Sequence, residues 1–467
     1  MEKLNCVDPD PERRRRRVVI IGGGVAGLHC AGELERRLRG NGVDDVELVI
    51  LEAQGRIGGR VRSEVIGGHR VDTGAAWVHG VCLENPIVKL LGSSSALNGT
   101  GDDAPFLQAS CRNIWIHGPD EGDNCSFYQT KDDERKWEKR MQRLSSKIVC
   151  EGNDMPGPSL SLEDALRLDE EPLSSYEKRR LDWLCLWFGK RAVDIPILEW
   201  HGDLQFGDYP GSHSLVKGGM ESVVVALKSK LHHTRILINA EASKFIESAH
   251  EILVETTDGR AFKCDYVVIT ASLGMLKAKL NSDWIEPPLP KDVLGAISRL
   301  DMSSYTKVIC TVSETAASSM PVWIFLDDSI FPQAFNYFPV KKVPVVVLLS
   351  IDPFAHDVLK AHSGGARGYA QQLLPCCVNE GDILECRVTD WSSDAWAAGA
   401  YSAFSTRSKD GDIAAFYESE ELLQRRIRFA GEATHEIHQG SVHGALLSGE
   451  RAAADIASCL MTAATLF

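Results

Sequence analysis

Apolar residues in this chain alternate between unbroken runs and runs with helical spacing. Val18–Ile21 is a continuous β-branched stretch, as a parallel strand buried on both faces requires. Leu28, Ala31, Leu34 and Leu38 then recur at helical spacing, and Gly40 closes the predicted helix that begins at Val25. Val46–Leu51 is again unbroken and stops at Glu52, so residues 17–52 read as a βαβ unit. Tyr266–Thr270 has the same buried-strand character. Before it, Glu251–Thr256 and Ala261–Lys263 flank a Thr257-Asp258-Gly259 turn and predict a hairpin. Residues 162–190 read as helical, with Trp183, Trp187 and Phe188, and a Lys217-Gly218-Gly219 turn starts a helix from Met220 to Leu231. Residues 281–394 mix strands at Thr306–Val312 and Val343–Ile351 with a helix near 365–374. Residues 92–160, rich in Gly, Ser, Asp and Asn, read as loops and short elements. The chain closes on a strand beginning at Ile427, a glycine-containing loop and a helix from about Ser441.

At 467 residues the chain exceeds what one core usually supports, which predicts two domains. Nucleotide-type strands lie at its beginning, middle and end, so each domain is expected to draw on non-contiguous segments. A net charge of -14 disfavours nucleic acid as a partner and favours a cationic ligand by long-range attraction. No apolar run has membrane-spanning length. The basic run Arg13–Arg17 has no apolar signal core and reads as a solvated lead-in to the first strand. The 13 cysteines lack CxxC spacing and form an odd count, so free thiols in a reducing compartment and no metal site are expected. The C-terminus is not of the Ser-Lys-Leu type, so a cytoplasmic location is the expectation, with the peroxisome as the alternative.

Two motifs carry the chemistry. In Gly22-x-Gly24-x-x-Gly27 the glycines allow a tight turn and a close backbone approach to a pyrophosphate, whose charge the helix N-terminus favours. Glu52, ending the next strand, is placed to accept hydrogen bonds from ribose hydroxyls. These residues do not separate NAD from FAD. Gly55-Arg56-Ile57-Gly58-Gly59-Arg60 follows directly, and its arginines suit a doubly charged pyrophosphate.

Together with Asp72-Thr-Gly74-Ala75-Ala-Trp77-Val-His79-Gly80, Phe206–His213, Tyr266–Gly274, Tyr305-Thr-Lys307, Trp391–Ser402 and Gly431-Glu432 through Gly449, these motifs resemble the flavin-dependent amine oxidases, the polyamine oxidases most closely. Likeness is poor at roughly 92–180 and 313–385. The resemblance implies an α/β fold with an α+β second domain. A Rossmann-like FAD-binding domain (13–91, 212–280 and 395–467) would be interleaved with a mixed-sheet substrate domain (92–211 and 281–394).

It also implies site residues. Lys307, in an apolar strand, either points to solvent or has a special environment; in this family the matching lysine holds a water near flavin N5. Tyr401 matches one wall of an aromatic cage, or is a core tyrosine, while the opposite wall is Ser441. His79 matches a histidine that contacts the substrate amine. Glu432 resembles a flavin-contacting glutamate, and the helix after Ser441 would aim its N–H groups at the flavin. Further cofactor contacts implied are Ala26, Gly74, Ala75, Trp77, Ala242, Trp391, Gly431 and Val442. Glu199, Asp203 and Asp208 are candidates to grip distal amines. No cysteine lies where relatives attach FAD covalently, so FAD is expected to be non-covalent.

The implied activity is oxidation of spermine, spermidine or their N1-acetyl derivatives. Hydride passes to flavin N5, the imine is hydrolysed to an aminoaldehyde plus an amine, and reoxidation by O2 gives H2O2. The expected partners are a polyamine and O2, with no nucleic acid or membrane, and the expected state is a monomer or weak dimer. Alternatives are another amine oxidase (monoamine, amino-acid or histone-lysine) or a non-catalytic flavin-binding regulatory protein.

Overall fold

The computed structural model describes residues 15–92, 105–108, 114–117, 131–151, 160–169, 171–197, 209–326, 328–374, 378–379 and 381–465. Its organising element is a five-stranded parallel sheet in the order Ile427–Phe429, Tyr266–Ile269, Arg16–Ile21, Val46–Leu51, Arg235–Leu237. N-terminal, middle and C-terminal segments are therefore hydrogen-bonded side by side.

The unbroken apolar runs are explained by burial on both faces. Val18, Ile20, Leu48 and Ile50 pack on one side against the helices Val25–Gly40 and Val442–Thr465. Val19, Ile21, Val49 and Leu51 pack on the other against a four-stranded sheet and the helix Lys291–Arg299. That four-stranded sheet contains the expected hairpin, observed as Ile252–Thr256 and Ala261–Cys264. The expected boundary between 280 and 281 falls inside this packing, because Trp284, Ile285, Val293 and Ile297 belong to the same apolar cluster.

A second, six-stranded sheet runs in the order Ile383–Val388, Thr306–Val312, Val345–Ser350, Gln333–Asn336, Trp323–Leu326, Ile114–His117. Its pairs are antiparallel except the last, so it is mixed. The fold is α/β with several sheets, as expected.

One expectation is corrected. Within residues 92–160, Lys131–Glu151 forms a helix of 21 residues rather than short irregular elements. Trp137, Met141 and Leu144 face a core shared with Leu162, Tyr176 and Leu184. The predicted helical block 162–190 is split into Leu162–Leu168 and Ser175–Phe188, the second opened by a capping box between Ser174 and Glu177. No described helix is long and apolar enough to cross a membrane.

Candidate active site

The carboxyl ends of the parallel strands open onto one cavity of about 1420 Å3. Ligand pockets usually span about 300–1,000 Å3, so this one has room for more than one small molecule. It brings together most residues singled out above. From the N-terminal third come Gly22, Gly24, Ala26, Glu52, Arg60, Gly74, Ala75, Trp77 and His79. Ala242, Lys307, Trp391 and Tyr401 join them from the middle, and Gly431, Glu432, Ser441 and Val442 from the C-terminal end. Gly27 and Arg56 are not on its wall. A Cβ on Gly27 would meet the Gly22 carbonyl oxygen at 2.0 Å, so this glycine serves the approach of helix to strand. Arg56 donates to the Gly59 carbonyl at 2.8 Å. Glu199, Asp203 and Asp208 lie outside the described residues, as do Phe206 and Gly207 of the quoted motif.

The dinucleotide-type end fits an FAD. A Cβ on Gly24 would meet no atom within 4 Å, so the backbone there is bare toward the cavity. The helix Val25–Gly40 has no side-chain cap, which leaves its first N–H groups to an anion. Glu52 is buried and held by the N–H groups of Gly23 and Gln54, at 2.7 and 2.8 Å. Burial raises its pKa, and those two bonds oppose the shift. The last helix, Val442–Thr465, also begins on this cavity. Ser441 caps it: its Oγ accepts from the Gly444 N–H at 2.9 Å and donates to the His438 carbonyl at 2.7 Å.

Arg60 and Glu432 join the two ends of the chain. The guanidinium donates to the Glu432 carboxylate at 2.6 Å and to the Ala400 carbonyl at 3.2 Å. Glu432 also accepts from Ser402 Oγ at 2.5 Å and from the Gly440 N–H at 2.9 Å. Sequence reading gave Arg60 to a pyrophosphate and Glu432 to the flavin; here each is first a partner of the other.

Lys307 does not point to bulk solvent. Its Nζ donates to the Gly74 carbonyl at 2.6 Å and the Asp72 carbonyl at 3.1 Å. Trp391 Nε1 donates to the carbonyl between them, Thr73, at 3.1 Å. Three consecutive carbonyls are thus taken by two side chains of the neighbouring elements. Burial holds the Lys307 pKa down to about 8, while the Asp72 carboxylate pulls the other way.

On the remaining wall Tyr401 is fixed by its hydroxyl, which donates to the Trp187 carbonyl at 3.0 Å. Its ring lies beside Gly440, where a Cβ would come within 3.1 Å of Cδ2, and so next to the Ser441 segment. His79 meets Trp187 edge-on at 4.8 Å and faces His213, the Nδ1 atoms 3.3 Å apart. Burial, and then His213, push its pKa down to about 3.

Sequence reasoning missed part of this wall. Tyr176, Arg179, Arg180, Trp183 and Trp187 occupy one face of the helix Ser175–Phe188 and all line the cavity. Their spacing (i, i+3, i+4, i+7, i+11) was a readable signal. Trp183 stacks on Trp187 at 5.4 Å, with the Arg180 guanidinium 4.7 Å from its ring. Tyr305, Tyr337, Trp323 and Phe335 complete an aromatic surface. Among the described residues no group of three or more His, Cys, Asp or Glu side chains is placed to hold a metal.

Comparison with known proteins agrees with this geometry. Residues 25–457 match the family described as flavin containing amine oxidoreductase. Polyamine oxidase 4 of Oryza sativa subsp. japonica is 28% identical over 453 residues, covering 92% of this chain and 86% of that protein. Polyamine oxidase 2 of Arabidopsis thaliana is 26% identical over 478 residues, covering 97% and 91%. Among solved structures, a wild-type putrescine oxidase bound to putrescine superposes with a TM-score of 0.69 at 19% identity, covering 95% of this chain and 99% of that one. The chain belongs to the flavin-containing amine oxidoreductase family and is an FAD-dependent amine oxidoreductase.

Proposed function

We propose that this enzyme oxidises polyamines, namely spermine, spermidine or their N1-acetyl derivatives, to an aminoaldehyde and an amine. The observation that carries the reading is Lys307, whose ammonium rests on the Gly74 carbonyl in the same cavity that opens onto Gly24. The named polyamine oxidases, matched over nearly their full lengths, support the substrate class. When bound, the flavin supplies the hydride acceptor at N5 and passes the electrons to O2, giving H2O2.

The chain's own residues bind, orient and handle protons. Gly22, Gly24, Ala26 and the first helix N-terminus hold the pyrophosphate, and Glu52 the ribose. Gly431, Glu432 and the start of the last helix shape the seat of the ring system. Lys307 spends two of its three donors on carbonyls and keeps the third for a water. Tyr401 walls one side of the reacting amine, and neutral His79 accepts a hydrogen bond from it. In this reading 13–91, 212–280 and 395–467 form the FAD-binding domain, with 284–300 packed against its sheet, and 92–211 with the rest of 281–394 form the substrate domain.

Peroxide release tests the substrate class. Purified yellow protein should produce H2O2 with at least one of spermine, spermidine, N1-acetylspermine and N1-acetylspermidine, and little with a monoamine. Release with the monoamine alone would assign the enzyme to another branch of the family.

A further inference from the structure

The mixed sheet carries a thiol pair. Cys310 and Cys386 lie directly opposite each other on the antiparallel strands Thr306–Val312 and Ile383–Val388, with Sγ atoms 2.9 Å apart. Opposed residues in such a ladder have Cα atoms about 4.5–5.5 Å apart, within the roughly 4.4–6.8 Å that a disulfide spans. Bonding them therefore needs side-chain adjustment, with no shift of the backbone. Cys310 is fully buried beside Val308 and Val312, whereas Cys386 is partly exposed on the edge strand. The contact between the two thiols pulls the Cys386 thiol below its ordinary value, and nearby Arg367 acts in the same direction against the effect of burial. That contact and burial push Cys310 well up. The accessible sulfur is thus the more acidic one, and the hidden sulfur is in reach of it.

We propose that Cys310 and Cys386 are a peroxide-responsive pair that closes to a disulfide between the edge strand and the strand that carries Lys307. In the first step the Cys386 thiolate attacks one oxygen of hydrogen peroxide. The O–O bond breaks, Cys386 becomes a sulfenic acid, and the departing hydroxide is protonated to water. Cys310 sulfur then attacks Cys386 sulfur, the S–O bond breaks, and the hydroxyl leaves as a second water with the Cys310 proton. Two thiols lose two electrons, and one peroxide becomes two waters. Peroxide from any source suffices, so the pair does not depend on the polyamine reading.

The bond would act on the site's support. Lys307 lies on the strand of Cys310, and its N–H donates at 2.9 Å to Oγ1 of Thr389, the residue after the edge strand. The two cysteines are 76 positions apart, so closing the pair also restricts the unfolded chain over a long loop.

Peroxide treatment of the holoprotein, followed by peptide mapping without reduction, tests the proposal. The expected result is a Cys310–Cys386 cross-linked peptide, lighter than the two separate peptides by two hydrogens and split by dithiothreitol, together with a raised Tm. Cys386→Ser should abolish both, and Cys310→Ser should leave Cys386 as a sulfenic acid that dimedone captures. Accumulation of Cys386 sulfinic or sulfonic acid without cross-link, or a Tm rise that persists in Cys386→Ser, would overturn it.

Discussion

The Arg60 guanidinium meets the Glu432 carboxylate at 2.6 Å, although 372 positions of chain separate them. The contact ties the glycine-arginine loop after the second parallel strand to the loop that precedes the last helix. Glu432 is buried, and its other donors are neutral, so it relies on Arg60 for counter-charge. Arg60→Ala is expected to destabilise the protein by about 2 kcal/mol, the scale of a charged hydrogen bond removed from a largely buried acceptor. Urea unfolding checks this, and the ratio of flavin to protein absorbance after gel filtration should fall with it. Unchanged stability and flavin content would show the pair to be incidental.

Lys307 supplies a pH signature. Its pKa is held down to about 8 from an ordinary value of 10.5 by burial. Below the lower value both folded and unfolded states are protonated, and the cost of the buried charge is fully felt. Between the two values the unfolded state keeps a proton that the folded state has lost, so stability rises with pH; above 10.5 the cost is gone. Relative to Lys307→Met, the wild-type protein should therefore gain stability across this window. A difference that stays flat across it would contradict the buried position of the ammonium.

His79 has the same sign at lower pH. Burial, followed by His213, holds it down to about 3 from 6.5, so between these values the unfolded chain binds a proton that the folded one refuses. Stability should fall as pH drops below 6.5, and His79→Asn should make that acid limb shallower while leaving the curve above neutrality unchanged. Denaturation series on both proteins decide the matter.

Ser441 is committed to the backbone. Because its hydroxyl caps the last helix, Ser441→Ala should cost about 1 kcal/mol of stability. KM for the amine should change little, since the hydroxyl already serves His438 and Gly444. A large rise in KM without loss of stability would instead put Ser441 on the substrate.

Much of this was legible in the chain. Gly22, Gly24, Gly27 and Glu52 announce a nucleotide cradle because strand, turn and helix are local, and local spacing is what a sequence prints. Lys307 stood out because an ammonium is conspicuous between Thr306 and Val308. Its acceptors did not, since carbonyls carry no residue signature and Gly74 reaches Lys307 only through tertiary packing. Arg60 and Glu432 were each noticed and given to the cofactor, because nothing in either motif reveals that the two meet. The helix Lys131–Glu151 was lost for a different reason: its charged surface masks the apolar series Trp137, Met141, Leu144. The stripe from Tyr176 to Trp187 reads only as helical, because aromatic residues at helical spacing serve a core or a cavity wall equally well.

The most direct test is anaerobic. Holoprotein mixed without oxygen with spermine, spermidine and their N1-acetyl forms should lose the visible absorbance of its flavin with at least one of them and regain it when air is admitted. Flavin that stays fully oxidised with every polyamine would contradict the account.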